Sequence, residues 1–254
     1  MFKQIFEGKE AVVFDLDGTL VDSKPLWNTA CTEVAQNLGF EWRGSAFLGG
    51  QGLRSTWSEY LRYADINPGV SISELVKQTK DKFLKRLASA DLELLDGFWH
   101  FMLMLKDERN FKLGLVTNTD KDVGQKVLQE LGVSNVFDIA LFGDDVKKKK
   151  PNPEIYKLAC KKLGIKPHKI LVFEDSPEGV KAAVKAKMPV VAIWNPSSPP
   201  KKEYSTNVLL FVEDFSVFPG NLDKTYKESL LQETSEEISE SVETEEKTSA
   251  EELK

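Results

Sequence analysis

The stretch AVVFDLDGTLVDS (residues 11–23) begins as a buried strand and then runs into two aspartates, Asp15 and Asp17. Its first four residues do not alternate between apolar and polar, which is typical of a strand covered on both faces in a parallel sheet. A carboxylate at the end of such a strand costs free energy unless positive charge meets it. Another part of the chain must therefore supply that charge.

Further apolar runs follow, and amphipathic helical patterns separate the later ones. The runs are KLGLV (112–116), DIALF (138–142), ILVF (170–173), VVAIW (190–194) and NVLLF (207–211), the last as an outer strand. Strands that alternate with helices at this spacing form right-handed βαβ units. We therefore predict the α/β fold class, with a doubly wound parallel sheet.

Nearly a hundred residues separate the first two strands, which is too many for one crossover. Their patterns predict helices that begin near Pro25, Leu53 and Ser71, and Ser71 with Glu74 resembles a capping box. A core helix is predicted over residues 98–108. The predicted organisation is a core domain (1–22 and 97–222), an inserted helical cap domain (23–96) and an acidic, disordered tail (223–254).

Composition indicates a soluble globular protein, since 41% of the 254 residues are hydrophobic and 29% are charged. Cys31 and Cys160 stand alone, which favours a reducing compartment over a disulfide framework. The chain has no apolar run of membrane-spanning length and no signal-peptide pattern at its N-terminus. We therefore predict a cytoplasmic protein. The net charge of −6 comes from the tail, where 11 acidic residues face 4 basic ones.

The predicted strands end in polar residues that could meet at one place, because ligands in open parallel sheets bind at the carboxyl ends of the strands. These residues are Asp15 after the first strand, Thr117 and Asn118 after the second, Lys150 beyond the third, and Glu174, Asp175 and Ser176 after the fourth. Alternatives remain for some of them. The run KKKK (147–150) is typical of a solvated charge run, and the acidic pair also suits a helix N-terminus near Pro177.

Three carboxylates from two strand ends indicate a divalent cation, and oxygen ligands favour Mg²⁺. Such a cation lets a carboxylate approach a phosphoryl group of like charge. Lys150 would neutralise further charge, while the Thr117 hydroxyl and nearby backbone N–H groups would hold phosphate oxygens, with Asn118 as a further substrate-binding residue. Asp15 and Asp17 lie on the same side of the chain by strand periodicity, so one could attack while the other moves a proton. The pattern predicts phosphoryl transfer.

Four motifs in this order resemble those of the haloacid dehalogenase superfamily, in its phosphatase and β-phosphoglucomutase-like branch with a helical cap. They are DLDGTLVDS, LVTNT, KPNPEIY and FEDSPEGVKAA, and the resemblance spans residues 9–222. It implies that Asp15 is a nucleophile that forms an aspartyl-phosphate and that Asp17 is the acid and base. It further implies Mg²⁺ bound by the Asp15 and Asp175 carboxylates and the Asp17 carbonyl, with Glu174 acting indirectly.

Two positions bear on the branch within this superfamily. Dehalogenating relatives lack the second aspartate, so Asp17 favours phosphate esters. Trp27 stands where β-phosphoglucomutase-like members carry a histidine. We therefore expect hydrolysis of a small phosphomonoester (a sugar, polyol or nucleoside phosphate), with a phosphomutase as the alternative. The expected partner is that small molecule, with no nucleic acid and no membrane, and the chain is expected to be a monomer.

The cap contains a glycine-rich segment, FLGGQGLRS (47–55), which is either a flexible connection or a specificity loop. In the second case the loop would close over the substrate, and Arg54 together with Trp27 would contact the leaving group. A further position departs from the superfamily, which commonly has glycine where this chain has Lys187. Glycine there would serve a left-handed helix end, so Lys187 predicts either a destabilisation of about 1 kcal/mol or a reshaped turn.

Overall fold

A computed structural model describes residues 2–44, 50–108, 110–195 and 198–218. The predicted acidic tail and residues 47–49 of the glycine-rich segment lie outside the described residues. Within those ranges, none of the helices has the length and apolar character needed to cross a membrane.

The central sheet is entirely parallel and has the strand order β3-β2-β1-β4-β5-β6. Its strands are β1 (Ala11–Phe14), β2 (Lys112–Val116), β3 (Ile139–Leu141), β4 (Ile170–Glu174), β5 (Val190–Ile193) and β6 (Val208–Val212). Chain order reverses between β1 and β4, which makes this pair the topological switch point where open parallel sheets bind ligands. The predicted fold class is confirmed, including the outer strand.

Helices cover the sheet and form the insertion after β1. They are α1 (Phe2–Ile5), α2 (Lys24–Asn37), α3 (Leu53–Ala64), α4 (Ile72–Leu87), α5 (Phe98–Leu103), α6 (Lys121–Glu130), α7 (Glu154–Leu163) and α8 (Pro177–Lys185). Helix α4 begins as predicted, since Ser71 Oγ accepts a hydrogen bond from the Glu74 N–H at 3.1 Å.

Alternate residues of the strands pack on opposite faces of the sheet, as the two-residue period of a strand requires. Val12 and Phe14 of β1 belong to one apolar cluster, and Ala11 and Val13 belong to the other. All four side chains are fully buried. Burial on both faces explains why the strand sequences are continuous apolar runs and not alternating ones.

Helices α2, α3 and α4 build a third apolar cluster apart from the sheet. Its buried members are Cys31, Val34, Ala35, Trp42, Trp57, Tyr60, Leu61 and Leu75. The opposite side of this helical unit joins the cluster on one face of the sheet through Trp27, Ala30, Phe83 and Leu87. The inserted helices therefore have a core of their own and also pack on the domain that contains the sheet.

Three segments differ from the predicted elements or have an unusual backbone. The helix predicted over residues 98–108 is α-helical only to Leu103 and continues as a π-helix over Met104–Glu108. The N-terminal helix α1 had no counterpart in the sequence interpretation. Lys187 follows α8 with a φ of 63°, so of the two expected outcomes the structure has the left-handed helix end and not a reshaped turn.

Candidate active site

The polar residues that end the strands lie together at the switch point of the sheet. Asp15 directly follows β1, Thr117 and Asn118 follow β2, and Glu174 and Asp175 mark the end of β4. Since β1 pairs with β2 on one side and with β4 on the other, the three strand ends are neighbours. These five side chains are all buried.

Lys150 supplies the positive charge that the buried carboxylates require. Its Nζ donates hydrogen bonds to Asp15 Oδ1 at 2.6 Å, to Glu174 Oε1 at 2.6 Å and to the Val116 carbonyl at 2.8 Å. An ammonium group has three donors, so all three are used by protein atoms. The Lys150 side chain is only 1% exposed. Lys150 is therefore buried and paired with carboxylates, unlike a lysine in a solvated charge run.

Glu174 is surrounded by donors. Its Oε1 accepts from the Tyr156 hydroxyl at 3.0 Å as well as from Lys150. Its Oε2 accepts from the backbone N–H groups of Asp175 and Ser176 and from the Ser176 hydroxyl. The alternative role at a helix N-terminus is therefore compatible with the site role, because Ser176 also caps α8 through the Gly179 N–H.

Asp15 and Asp175 are carboxyls that burial makes harder to ionise. Burial raises the pKa of Asp15 well above its ordinary value, although the Lys150 ammonium opposes this shift. Burial likewise raises the pKa of Asp175 to about 6, against the opposing effect of the Lys24 ammonium. Lys24 Nζ lies 2.5 Å from Asp175 Oδ2.

The residues at this site fit a small divalent cation. Carboxylate oxygens of Asp15, Glu174 and Asp175 lie within 4.8 Å of one another. Asp175 Oδ1 is buried and accepts no hydrogen bond from the described residues. A donor set made only of oxygen atoms suits Mg²⁺. Gly18, with a φ of 92°, lets the chain pass close by, because a Cβ there would lie 2.2 Å from Asp175 Oδ2.

The Asp17 carboxylate is held in a different environment from that of Asp15. Its Oδ1 accepts from the Ser23 hydroxyl at 2.5 Å and from the Trp27 indole N–H at 3.0 Å. Its Oδ2 accepts from the Thr119 hydroxyl at 2.6 Å. Among the described residues, the Asp17 side chain is therefore not a member of the carboxylate cluster, and the metal role of its backbone carbonyl stays a prediction. Neutral donors, and not a cation, satisfy this side chain.

Thr117 and Asn118 occupy the loop after β2. Thr117 Oγ1 accepts from the Thr119 N–H at 3.1 Å. Asn118 Nδ2 donates to the Gly50 carbonyl at 2.6 Å, and its Oδ1 accepts from the Lys150 N–H at 2.9 Å. The Asn118 side chain thus joins the segment before α3 to the segment that carries Lys150. Its predicted contact with substrate stays a prediction.

A cavity of about 560 Å³ opens over the strand ends, between the sheet and the inserted helices. Asp15, Asp17, Thr117 and Lys150 line its floor. Arg54, in the first turn of α3, lines it from above, where its guanidinium donates to Ser73 Oγ at 2.9 Å. Gly50, Gln51 and Gly52 also line the cavity, so the described part of the glycine-rich segment faces the site.

Several residues at the site had no assigned role in the sequence interpretation. Ser23 and Thr119 lie inside the quoted motifs, and that position is the signal that could have identified them. Lys24 follows the first motif directly, but its partner Asp175 is 151 positions away in the chain. Tyr156 and Tyr204 hold the fourth strand end, with Tyr204 donating to the Asp175 carbonyl at 2.6 Å. No local pattern indicates these long-range contacts.

Comparison with known proteins tests the resemblance noted in the motifs. The family model for haloacid dehalogenase-like hydrolases matches residues 12–193, which is more than half of the chain. The chain belongs to this family. The match includes the four motifs, all the strands up to β5 and the inserted helices. The identification of the superfamily from the motifs is therefore confirmed.

Relatives and solved structures agree with this assignment. The phosphorylated carbohydrates phosphatase of Thermotoga maritima is 33% identical over 177 residues, which cover 70% of this chain and 81% of that protein. A putative β-phosphoglucomutase from Thermotoga maritima has a TM-score of 0.64 at 28% identity, covering 82% of this chain and 96% of that one. CbbY from Rhodobacter sphaeroides, solved with phosphate, has a TM-score of 0.75 at 24% identity, covering 84% and 97%, and shows the shared fold.

Proposed function

We propose that this hydrolase is a Mg²⁺-dependent phosphatase that cleaves a small phosphomonoester through an aspartyl-phosphate on Asp15. The observation that carries the proposal is the contrast between its two aspartates. Asp15 is paired with a buried lysine beside two further carboxylates, whereas Asp17 is held by neutral donors. Two carboxylates in different environments can divide nucleophilic and proton-transfer roles between them. The relatives named as phosphatases support the same reaction class.

In the proposed first step, Asp15 attacks the phosphorus and the bond to the leaving oxygen breaks. Asp15 Oδ1 is held by Lys150, while its Oδ2 accepts no hydrogen bond from the described residues. One oxygen is thus fixed and the other is free to attack. Asp17 gives a proton to the leaving oxygen. In the second step, Asp17 takes a proton from water, and this water attacks the phosphorus to release phosphate and regenerate Asp15.

Mg²⁺ would be held by the carboxylates of Asp15 and Asp175 and by the Asp17 carbonyl, with Glu174 orienting its surroundings. When bound, it supplies positive charge that reduces repulsion between the Asp15 carboxylate and the phosphoryl group. Lys150 supplies part of this positive charge whether or not the metal is bound. Burial lowers the pKa of its ammonium group, but the Asp15 and Glu174 carboxylates outweigh that effect and raise the pKa above its ordinary value. We propose that Thr117 donates its hydroxyl to a phosphate oxygen.

Mg²⁺ affinity should depend on pH because a proton and the metal compete for Asp175. The pKa of this carboxyl is raised to about 6, so it is mostly protonated at pH 5 and mostly ionised at pH 7.5. We expect Mg²⁺ to bind about tenfold more weakly at pH 5 than at pH 7.5. Isothermal titration calorimetry of the wild-type protein at both pH values measures this difference. Equal affinities would contradict the proposed metal role of Asp175.

Phosphatase activity is favoured over the phosphomutase alternative by Trp27. This residue occupies the position where the mutase-like branch carries histidine, and its indole can donate a hydrogen bond to Asp17 but cannot exchange a proton near neutral pH. A mutase would instead transfer the phosphoryl group between sugar positions without releasing phosphate. Release of phosphate with each substrate molecule consumed distinguishes the two.

The test of the proposed function is hydrolysis of p-nitrophenyl phosphate and of a panel of phosphorylated metabolites, with Mg²⁺ and with a chelator. We expect phosphate release that requires the metal. Failure to hydrolyse any ester in the presence of Mg²⁺ would contradict the proposal.

The division into core (1–22 and 97–222) and cap (23–96), the cytoplasmic location and the monomeric state remain proposals, and size-exclusion chromatography with light scattering tests the last.

A further inference from the structure

A charged triad made of Lys80, Asp120 and Lys149 lines the cavity beside the phosphate end of the site. Lys80 Nζ lies 2.8 Å from Asp120 Oδ2, and Lys149 Nζ lies 2.5 Å from Asp120 Oδ1. Lys80 belongs to α4 of the inserted helices, while Asp120 precedes α6 and Lys149 directly precedes Lys150. The triad therefore spans the cavity from its cap side to its sheet side.

The triad keeps unused hydrogen-bonding capacity on the cavity side. An ionised carboxylate has about four lone-pair positions, and Asp120 uses one on each oxygen for the two lysines. Lys149 uses two of its three donors, on Asp120 and on the Asn118 carbonyl at 3.0 Å. The Asp120 side chain remains 27% exposed. An acceptor and a donor therefore lie side by side at the cavity, and Asp120 directly follows Thr119, whose hydroxyl donates to Asp17.

Asp120 is ionised as this arrangement requires. Partial burial raises the pKa of its carboxyl, but the hydrogen bonds from Lys149 and Lys80 outweigh that effect and lower the pKa below its ordinary value. A hydroxyl group can donate to this carboxylate and accept from the neighbouring ammonium at the same time. Adjacent hydroxyls, as on a sugar or an open-chain polyol, can use both partners.

A nucleobase as leaving group matches the described lining residues less well. Trp27 is the one aromatic side chain among them, and its ring stacks on Phe83 with centroids 3.7 Å apart while its N–H is bound to Asp17. Phe83 covers one face of this ring, and Trp27 is only 7% exposed, so little of the ring can reach a nucleobase. The triad carries two ammonium groups and one carboxylate, so its charge does not exclude an anionic leaving group, and the comparison with phosphoglycolate below tests that case.

We infer that Asp120, with Lys149 beside it, selects polyhydroxylated phosphate esters by binding hydroxyl groups of the leaving group. This inference rests on the proposed phosphatase function and names the substrate class for that site. Asp120 acts on the part of the substrate away from the phosphorus, so it governs binding of the leaving group and not the chemistry at Asp15.

The test compares two esters with the same carbon chain length, sorbitol 6-phosphate with hydroxyl groups and n-hexyl phosphate without them. The quantity of interest is the ratio of kcat/KM for the first ester to that for the second. In Asp120→Asn we expect this ratio to fall at least about tenfold, mainly through a higher KM for sorbitol 6-phosphate. Lys149→Gln should lower the same ratio, because it removes the neighbouring donor.

Asp122→Asn is the matched control. Asp122 also pairs with Lys80, at 3.0 Å, but its side chain is 61% exposed and does not line the cavity. We expect this variant to keep the wild-type ratio, and melting temperatures establish that each variant is folded. A general effect on cap closure would change kcat/KM for both esters alike and leave the ratio constant.

Each result decides for or against the inference. A fall in the ratio confined to Asp120→Asn and Lys149→Gln supports it. Three results overturn it and leave the phosphatase proposal intact. They are an equal fall in kcat/KM for both esters, the same fall in the ratio for Asp122→Asn, and a wild-type preference for phosphoglycolate over sorbitol 6-phosphate. If the wild-type enzyme with Mg²⁺ hydrolyses neither these esters nor p-nitrophenyl phosphate, the proposed function fails and the inference fails with it.

Discussion

Replacing Asp15 with asparagine should lower kcat for every phosphate ester by at least about 10³-fold. The amide has the shape of the carboxylate but lacks the charge and the lone-pair density needed to attack phosphorus. Lys150 keeps Glu174 and the Val116 carbonyl as acceptors, so the site should stay assembled. Steady-state hydrolysis of p-nitrophenyl phosphate with saturating Mg²⁺ measures the loss.

Asp22→Asn provides the matched control for this variant, because Asp22 lies in the same motif but is exposed. We expect it to keep wild-type activity. Circular dichroism and a thermal melt show whether Asp15→Asn is folded. Substantial turnover by folded Asp15→Asn would mean that the covalent intermediate on this residue is not part of the reaction.

Replacing Lys150 with methionine should destabilise the protein by about 3–5 kcal/mol, which is the expected cost of removing one partner from a buried ion pair. Methionine approximates the length and apolar stem of lysine but leaves Asp15 and Glu174 buried without their shared cation. The free energy of unfolding in urea, measured without metal, reports this loss. The loss should be smaller at low pH, because burial raises the pKa of Asp15 well above its ordinary value and the protonated carboxyl no longer needs a counter-charge.

The same substitution at Lys148 is the control, since Lys148 lies in the same lysine run but is exposed. We expect Lys148→Met to change the free energy of unfolding by less than about 0.5 kcal/mol. If both variants lose the same stability, the loss comes from removing a lysine in this segment and not from the buried charge network around Lys150.

Much of the site could be predicted because a parallel sheet brings the carboxyl ends of its strands to one edge. Asp15, Thr117 and Asp175 each end an apolar run, and the alternation of strands and helices is sufficient to make those ends neighbours. Lys150 was predicted from its place before Pro151, and its burial explains why one lysine of four behaves differently. These features depend on local patterns and on general topology.

The contacts that could not be predicted depend on how the inserted helices sit over the sheet. Trp27 was interpreted as the replacement of a histidine and as a contact for the leaving group, whereas its indole binds Asp17. The triad around Asp120 joins Lys80 of α4 to residues that follow two different strands. Such pairs are far apart in the chain and carry no periodic signal. The sequence of the π-helical segment after α5 fits a regular α-helix equally well, so the π-helix could not be predicted either.

The central claim is that a phosphoryl group is transferred to Asp15 during turnover, and chemical trapping tests it most directly. The enzyme is quenched in acid while it turns over p-nitrophenyl phosphate with Mg²⁺, and is then treated with borohydride, which reduces an acyl phosphate to an alcohol. Peptide mass spectrometry should find homoserine in place of Asp15 in the quenched sample and not in a sample without substrate. Homoserine in place of another aspartate would contradict the account. So would unmodified Asp15 in a sample that shows a full burst of p-nitrophenol release.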